Sequence, residues 1–212
     1  MIIKAFCFNS FYENTYIVYV KTGEAWIFDP GCSNKDEEKE IISFIDNNNL
    51  RLKRVLLTHA HIDHILGLEF IFRHYGLRAE MHELEREVLK AGTQISIMYG
   101  IFFQSSFEIG NYIIDNQVLI FDSQNITCLL TPGHSPGSLC FYFSELNALI
   151  GGDVLFEGSI GRTDLPGGDY NTLIKSIKSR LYPFSNELVI YPGHGGITTL
   201  GQEKLNNPFL NK

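Results

Sequence analysis

Three imidazoles and a carboxylate fall within six positions in the run Thr58-His59-Ala60-His61-Ile62-Asp63-His64. The run follows the apolar stretch Val55-Leu56-Leu57. Side chains alternate between faces along a strand, so a chain leaving one can aim His59 and His61 at one point. Asp63 and His64, on the turn beyond, can reach a second point. Packing does not call for such a cluster. Metal binding does, because imidazole and carboxylate together suit zinc, iron and manganese.

A catalytic zinc takes about three protein ligands and keeps one position open. The chain supplies further candidates, each directly after an apolar run. His134 follows Leu129-Leu130 in Thr131-Pro132-Gly133-His134-Ser135-Pro136-Gly137. Asp153 ends Ala148-Leu149-Ile150-Gly151-Gly152-Asp153, and His194 follows Leu188-Val189-Ile190-Tyr191-Pro192-Gly193. Glycine lets the backbone turn sharply beside an ion, and proline stops the strand. His74 and His82 lack this context and read as solvated or capping histidines.

The elements that must position these residues can be read from periodicity. Ile2 to Phe8, Tyr16 to Val20 and Ala25 to Phe28 read as strands, with a hairpin turn at Thr22-Gly23. Lys35 to Asn48 reads as a helix with the stripe Ile41, Ile42, Phe44 and Ile45, capped by Asn34 or Ser33. Leu52 to Leu57 is the strand that leads into the metal cluster. Ile65 to Tyr75 and Met81 to Ala91 read as helices. The apolar segment Ile95 to Phe103 has no clean period; it reads as core packing, or else as a greasy wall for substrate. Strands return at Val118 to Phe121, Ile126 to Leu130, Leu139 to Phe143 and Ala148 to Ile150. A late helix carries Leu173, Ile174, Ile177 and Leu181 before a last strand at Glu187 to Ile190. Strands in two groups separated by helices fit more than one α/β layering.

The 212 residues suit one domain with a sizeable core. A formal charge of −7 argues against a nucleic-acid surface. None of Cys7, Cys32, Cys128 and Cys140 forms a Cys-x-x-Cys pair. They read as structural thiols, three of them in or beside strand-like runs. The start Met1-Ile2-Ile3-Lys4 lacks the pattern of a secretory leader, and no apolar run approaches a membrane span. The expectation is a cytoplasmic protein with a small-molecule partner, no nucleic acid and no membrane.

His-x-His-x-Asp-His with a later His134, Asp153 and His194 resembles the metallo-β-lactamase-fold hydrolases. The resemblance covers nearly the whole chain. Asn14-Thr15-Tyr16, Phe28-Asp29-Pro30-Gly31, Gly161-Arg162-Thr163-Asp164 and the tail Thr198-Thr199-Leu200-Gly201 with Glu203 and Asn207-Pro208 are similar to its glyoxalase II-like branch. The resemblance implies an α/β fold, a four-layer αββα sandwich with the metals at the edge between two sheets. It implies one domain over residues 1–212, without the C-terminal helical domain that helps full-length glyoxalase II grip glutathione. It further implies two divalent ions, zinc first, with iron or manganese as alternatives. His59, His61 and His134 would hold one ion, Asp63, His64 and His194 the other, and Asp153 would bridge them.

Such a pair lowers the pKa of bound water from near 16 to roughly 7, which supplies a hydroxide at neutral pH. The implied reaction is attack on a polarised carbonyl, with Asp63 orienting the hydroxide or accepting its proton. An anionic thioester such as an S-(2-hydroxyacyl)glutathione suits it, because a thiolate leaves easily. Arg162 stands where a guanidinium could grip the substrate's carboxylate; a salt bridge with Asp164 or Asp29 is the competing assignment. Two other chemistries fit the same residues. Persulfide dioxygenases keep a Gly-Arg-Thr-Asp segment and use one iron, here on His61 or His59, His134 and Asp153. Lactone or other ester hydrolysis would use the same hydroxide. A non-catalytic module would be signalled by a missing ligand, and none is missing.

Overall fold

The β-branched and aromatic runs of the N-terminal third form strands: β1 (Ile2–Phe8), β2 (Glu13–Tyr19) and β3 (Glu24–Phe28). They pair antiparallel in order, and Gly23 turns the second hairpin at φ +86°. Helix α1 (Lys35–Asn47) then crosses over, capped by Asn34, whose side chain accepts from the amides of Asp36 and Glu37. Its acidic first turn complements the helix dipole. It returns the chain to β4 (Arg51–Leu56), which pairs parallel with β3. Two short helices follow, α2 (Ile62–Ile65) and α3 (Leu68–Tyr75), and then β5 (Ala79–Met81), α4 (Arg86–Tyr99) and β6 (Ile109–Tyr112). The resulting six-stranded sheet runs β1-β2-β3-β4-β5-β6.

A second six-stranded sheet is built from the rest. Strands β7 (Val118–Phe121), β8 (Gln124–Leu130), β9 (Leu139–Phe143) and β10 (Ala148–Gly152) form an antiparallel meander. A small hairpin, β11 (Leu155–Phe156) with β12 (Ser159–Ile160), precedes helix α5 (Tyr170–Ser176), which continues into a π-helical turn at Ile177–Leu181. Strand β13 (Val189–Pro192) joins β10 in parallel, β14 (Thr198–Thr199) pairs with β13, and α6 (Leu200–Asn206) follows. The computed structural model describes residues 1–103 and 108–211.

The chain divides into two units, Met1–Met81 with Arg86–Tyr112, and His82–Glu85 with Ile113–Lys212. Each has its own core. In the first, Ile17, Ile27, Val55 and Leu57 of the sheet pack with Ile41 and Ile45 of α1 and Leu68 and Ile71 of α3. In the second, Leu149 and Ile190 pack with Leu173, Ile177, Leu181 and Leu200. The inner strands β2 and β10 are buried along both faces, whereas β1, β6 and β7 expose residues. Two large sheets, each covered by helices, make the mixed α/β fold.

Three readings from periodicity need correction. The helix after the metal cluster is broken in two at Gly67, whose amide donates to the Pro30 carbonyl at 2.8 Å. A Cβ there would lie 2.4 Å from Cys32 Sγ and 2.7 Å from that carbonyl, so only glycine lets the chain pass. The stretch from Met81 starts as a strand end and a short turn, and the helix itself begins at Arg86, because Met81 is held in β5 by pairing with Tyr112 of β6. In the segment Ile95 to Phe103, Ile95 and Phe103 pack on the core, but Ile97, Met98, Tyr99 and Phe102 are exposed. Cys7 is exposed as well, whereas Cys32, Cys128 and Cys140 are buried free thiols. No helix among the described residues is long and apolar enough to cross a membrane.

Ile41 is fully buried beneath the sheet. Its replacement by alanine should destabilise the protein by about 2–5 kcal/mol, read as a lower midpoint in urea at an unchanged slope.

Candidate metal centre

Strand direction decides where the ligands fall. In the first sheet β3 and β4 run parallel, so the residues that follow them emerge at the same edge. Asp29 follows β3, and the run Thr58 to His64 follows β4. The His59 and His61 rings meet edge-on with centroids 4.8 Å apart, and His59 and His64 lie 4.1 Å apart. Asp63 Oδ2 is 3.6 Å from His64 Nε2. His59 and His64 are buried, and His61 and Asp63 are partly open.

Asp29 organises this half. Its Oδ1 accepts from the Thr58 amide at 2.7 Å, and its Oδ2 accepts from the Thr58 hydroxyl at 2.6 Å and from His64 Nδ1 at 3.1 Å. The Thr58 hydroxyl has a single proton and gives it to Asp29. It therefore accepts from His59 Nδ1, 3.0 Å away. Both imidazoles are thus protonated on Nδ1, which makes Nε2 the nitrogen that could bind an ion. Asp29, His59 and His64 offer atoms within 4.8 Å of one another. Asp29 is nevertheless a poor ligand candidate, because its oxygens already carry three hydrogen bonds.

Asn9, held at φ +52°, clamps the cluster from the side. Its Nδ2 donates to the carbonyls of Gly31 (2.9 Å) and Asp63 (3.0 Å). Glu13 lies fully buried with Oε1 3.9 Å from His64 Nδ1. Burial holds its carboxyl well above the usual carboxylate range. Hydrogen-bond accounting agrees. Thr15 Oγ1 accepts from the Gly31 amide and lies 2.8 Å from the Asp29 carbonyl, which can only accept. With that proton spent, the 2.9 Å contact to Glu13 Oε2 is a bond only if the acid is protonated.

The second unit repeats the logic. Strands β8 and β10 run in the same sense, each antiparallel to β9, and β13 is parallel to β10. His134, Asp153 and His194 therefore emerge at one edge of that sheet. A register shift between Ile150 and Gly152, with Gly152 at φ +49°, turns the chain into Asp153. The Nε2 atoms of His134 and His194 converge on the same oxygen, Asp153 Oδ2, at 3.5 and 3.6 Å. His134 Nδ1 donates to the Arg162 carbonyl at 2.8 Å, so its Nε2 too is the nitrogen that could bind an ion. Gly161 makes this possible: a Cβ there would sit 1.9 Å from the Asp153 carbonyl and 3.0 Å from the His134 ring.

The remaining candidates separate cleanly. The Arg162 guanidinium grips Asp164 through two bonds of 2.7 Å and holds that carboxyl down at about 2. His74 stacks among Phe70 and Tyr75 on α3, and His82 Nδ1 caps the Leu84 amide, as expected of structural histidines. Burial pushes the Cys140 thiol up to about 12 and Cys32 higher still, so neither is a ready thiolate ligand or nucleophile. Glu13, Glu85 and Glu203 were not singled out for site roles by the sequence, although each is buried within hydrogen-bonding reach of a site loop. Glu13 borders a strand-like apolar run and Glu203 stands in the tail motif quoted above, whereas Glu85 lies in a charged stretch that gives no signal.

A model of the metallo-beta-lactamase superfamily matches residues 10–194. The chain belongs to that superfamily. It is 36% identical over 205 residues to GloC, a hydroxyacylglutathione hydrolase of Haemophilus influenzae, across 96% of this chain and 95% of that one. Among solved structures it is similar to BLEG-1, a B3 metallo-beta-lactamase, with TM-score 0.91, 33% identity and full coverage of both chains. A protein solved in a di-iron-bound form matches with TM-score 0.86 and 31% identity, over 99% of this chain and 100% of that one. The metallo-beta-lactamase fold and the histidine-rich clusters together indicate divalent-metal binding.

Replacing Asp29 by asparagine puts an amide donor where two donors now converge. Metal affinity should fall about 10–100-fold, measured by chelator competition. Gly161→Ala should lower it as well, since the new methyl displaces either the His134 ring or the Asp153 backbone.

Proposed function

We propose that the protein is a binuclear metallohydrolase that cleaves a thioester such as an S-(2-hydroxyacyl)glutathione. The observation that carries this reading is the pair of prepared ligand sets, with His59, His64 and His134 each donating from Nδ1 to a neighbouring oxygen. His59, His61 and His134 would hold one ion, and Asp63, His64 and His194 the other. Asp153, on which two imidazoles converge, would bridge. Superfamily membership and the GloC likeness support a metal-dependent hydrolase. Zinc is the first candidate, with iron or manganese as alternatives. When bound, the ions supply Lewis acidity and a hydroxide at neutral pH.

The chain's own groups do the rest. Asp63 orients the attacking water or accepts its proton from a partly open position beside His64. Arg162 lies exposed on the segment whose carbonyl holds His134, and exchanges Asp164 for the substrate's carboxylate. We read the two units as halves of one catalytic domain acting in the cytoplasm on a small anionic substrate.

Protein made in metal-balanced medium should contain two ions per chain and release thiol from 2-hydroxyacyl thioesters at the same rate with and without oxygen. One iron per chain with oxygen uptake on a persulfide would overturn the hydrolase in favour of a dioxygenase. Asp63→Asn should lower kcat by about 10²-fold or more. Arg162→Met should raise KM for anionic thioesters while leaving a neutral thioester unchanged.

A further inference from the structure

We propose that Glu85 is a positioning residue that fixes the His134 loop in its metal-binding form. The four residues His82–Glu85 belong to the second unit, although the chain on either side of them belongs to the first. The detour delivers a carboxylate. Glu85 is fully buried, which is costly for a glutamate unless its carboxylate is bonded. Its Oε1 accepts from the Gly137 amide at 2.6 Å and, over a very short contact, from the Ser135 hydroxyl. The turn that carries it is closed by its own amide on the His82 carbonyl (3.0 Å).

Those two donors flank Pro136 and begin one residue after His134. The other flank of the loop is held separately, by Ser176 Oγ on the Pro132 carbonyl (2.7 Å) and by the Asp169 amide on the Gly133 carbonyl (2.8 Å). The ring itself is held by the Arg162 carbonyl. Glu85 thus adds a long-range restraint to a flank otherwise held by bonds within the loop, from the Gly133 and Ser138 amides to the Ser135 carbonyl (3.2 and 3.4 Å). Gly137 is matched to it, since a Cβ there would lie 2.9 Å from Glu85 Cγ and 3.0 Å from Oε1. Glu85 does not touch the imidazole and acts through Ser135 and the backbone.

The inference rests on the ligand assignment proposed above, in which His134 serves only one of two ions. Loss of Glu85 should therefore weaken one ion and spare the other, which a general loss of stability would not do. The test is cobalt(II) titration of metal-free wild type, Glu85→Met, Glu85→Gln and Ser135→Ala. It reads the two successive affinities by chelator competition and the visible d–d bands, with thermal unfolding alongside. Glu85→Met should lose about tenfold or more at one equivalent and little at the other. Glu85→Gln, which keeps an acceptor oxygen, should restore most of it, and Ser135→Ala should fall between. Equal affinities in all four proteins, or equal weakening of both equivalents, overturns the role of Glu85. Should Glu85→Met not fold, the Ser135→Ala and Glu85→Gln titrations decide by the same criterion. A wild type that takes up no cobalt overturns the metallohydrolase reading itself.

Discussion

An imidazole binds a metal ion only through a nitrogen that carries no proton, so an acceptor fixed on its other nitrogen sets both tautomer and aim. Much of the local architecture serves that requirement. Asp29 meets it for His64 directly and for His59 through the Thr58 hydroxyl, and the Arg162 carbonyl meets it for His134. A carboxylate that accepts three bonds from one loop also immobilises that loop. The same groups therefore set the tautomer, the aim and the rigidity of the ligands together.

Backbone topology provides the second constraint. Ligand-bearing loops share an edge only where the strands before them point the same way. The parallel pairs β3/β4 and β10/β13 deliver this within their own sheets, and β8 shares the direction of β10. At that edge the chain must bend within two or three residues, with side chains and carbonyls crowding in. Gly67 and Gly161 stand where any Cβ would collide with backbone. They allow α2 and the Asp153 turn to approach their supports closely.

Buried acids complete the picture. Glu13, Glu85 and Glu203 are each removed from water, which is costly unless their oxygens are bonded or protonated. Glu203 accepts from the Gly158 amide, the Thr198 hydroxyl and Asn207, tying the C-terminal helix to the hairpin after Asp153. Burial raises the pKa of Glu13, which favours its neutral form beside His64. These braces surround the ligands without competing for the positions the ligands occupy.

The linear order of residues was enough to reveal the seven ligand candidates, because each stands in a short motif of unusual composition directly after an apolar strand. It also gave most of the strands and helix α1, where side-chain period and an Asn cap are local properties. It could not give the break at Gly67, the strand at Ala79–Met81 or the exposure of Ile97 and Met98, because those depend on what lies alongside. Nor could it show that Asp29 accepts from Thr58 and His64, that Glu13 is buried beside His64, or that Glu85 bonds the His134 loop. Asp29 meets Thr58 and His64 across 29 and 35 positions of chain, and Glu85 meets Ser135 and Gly137 across 50 and 52. Hydrogen bonds of that span exist only once folding has brought the partners together, and no local pattern records them.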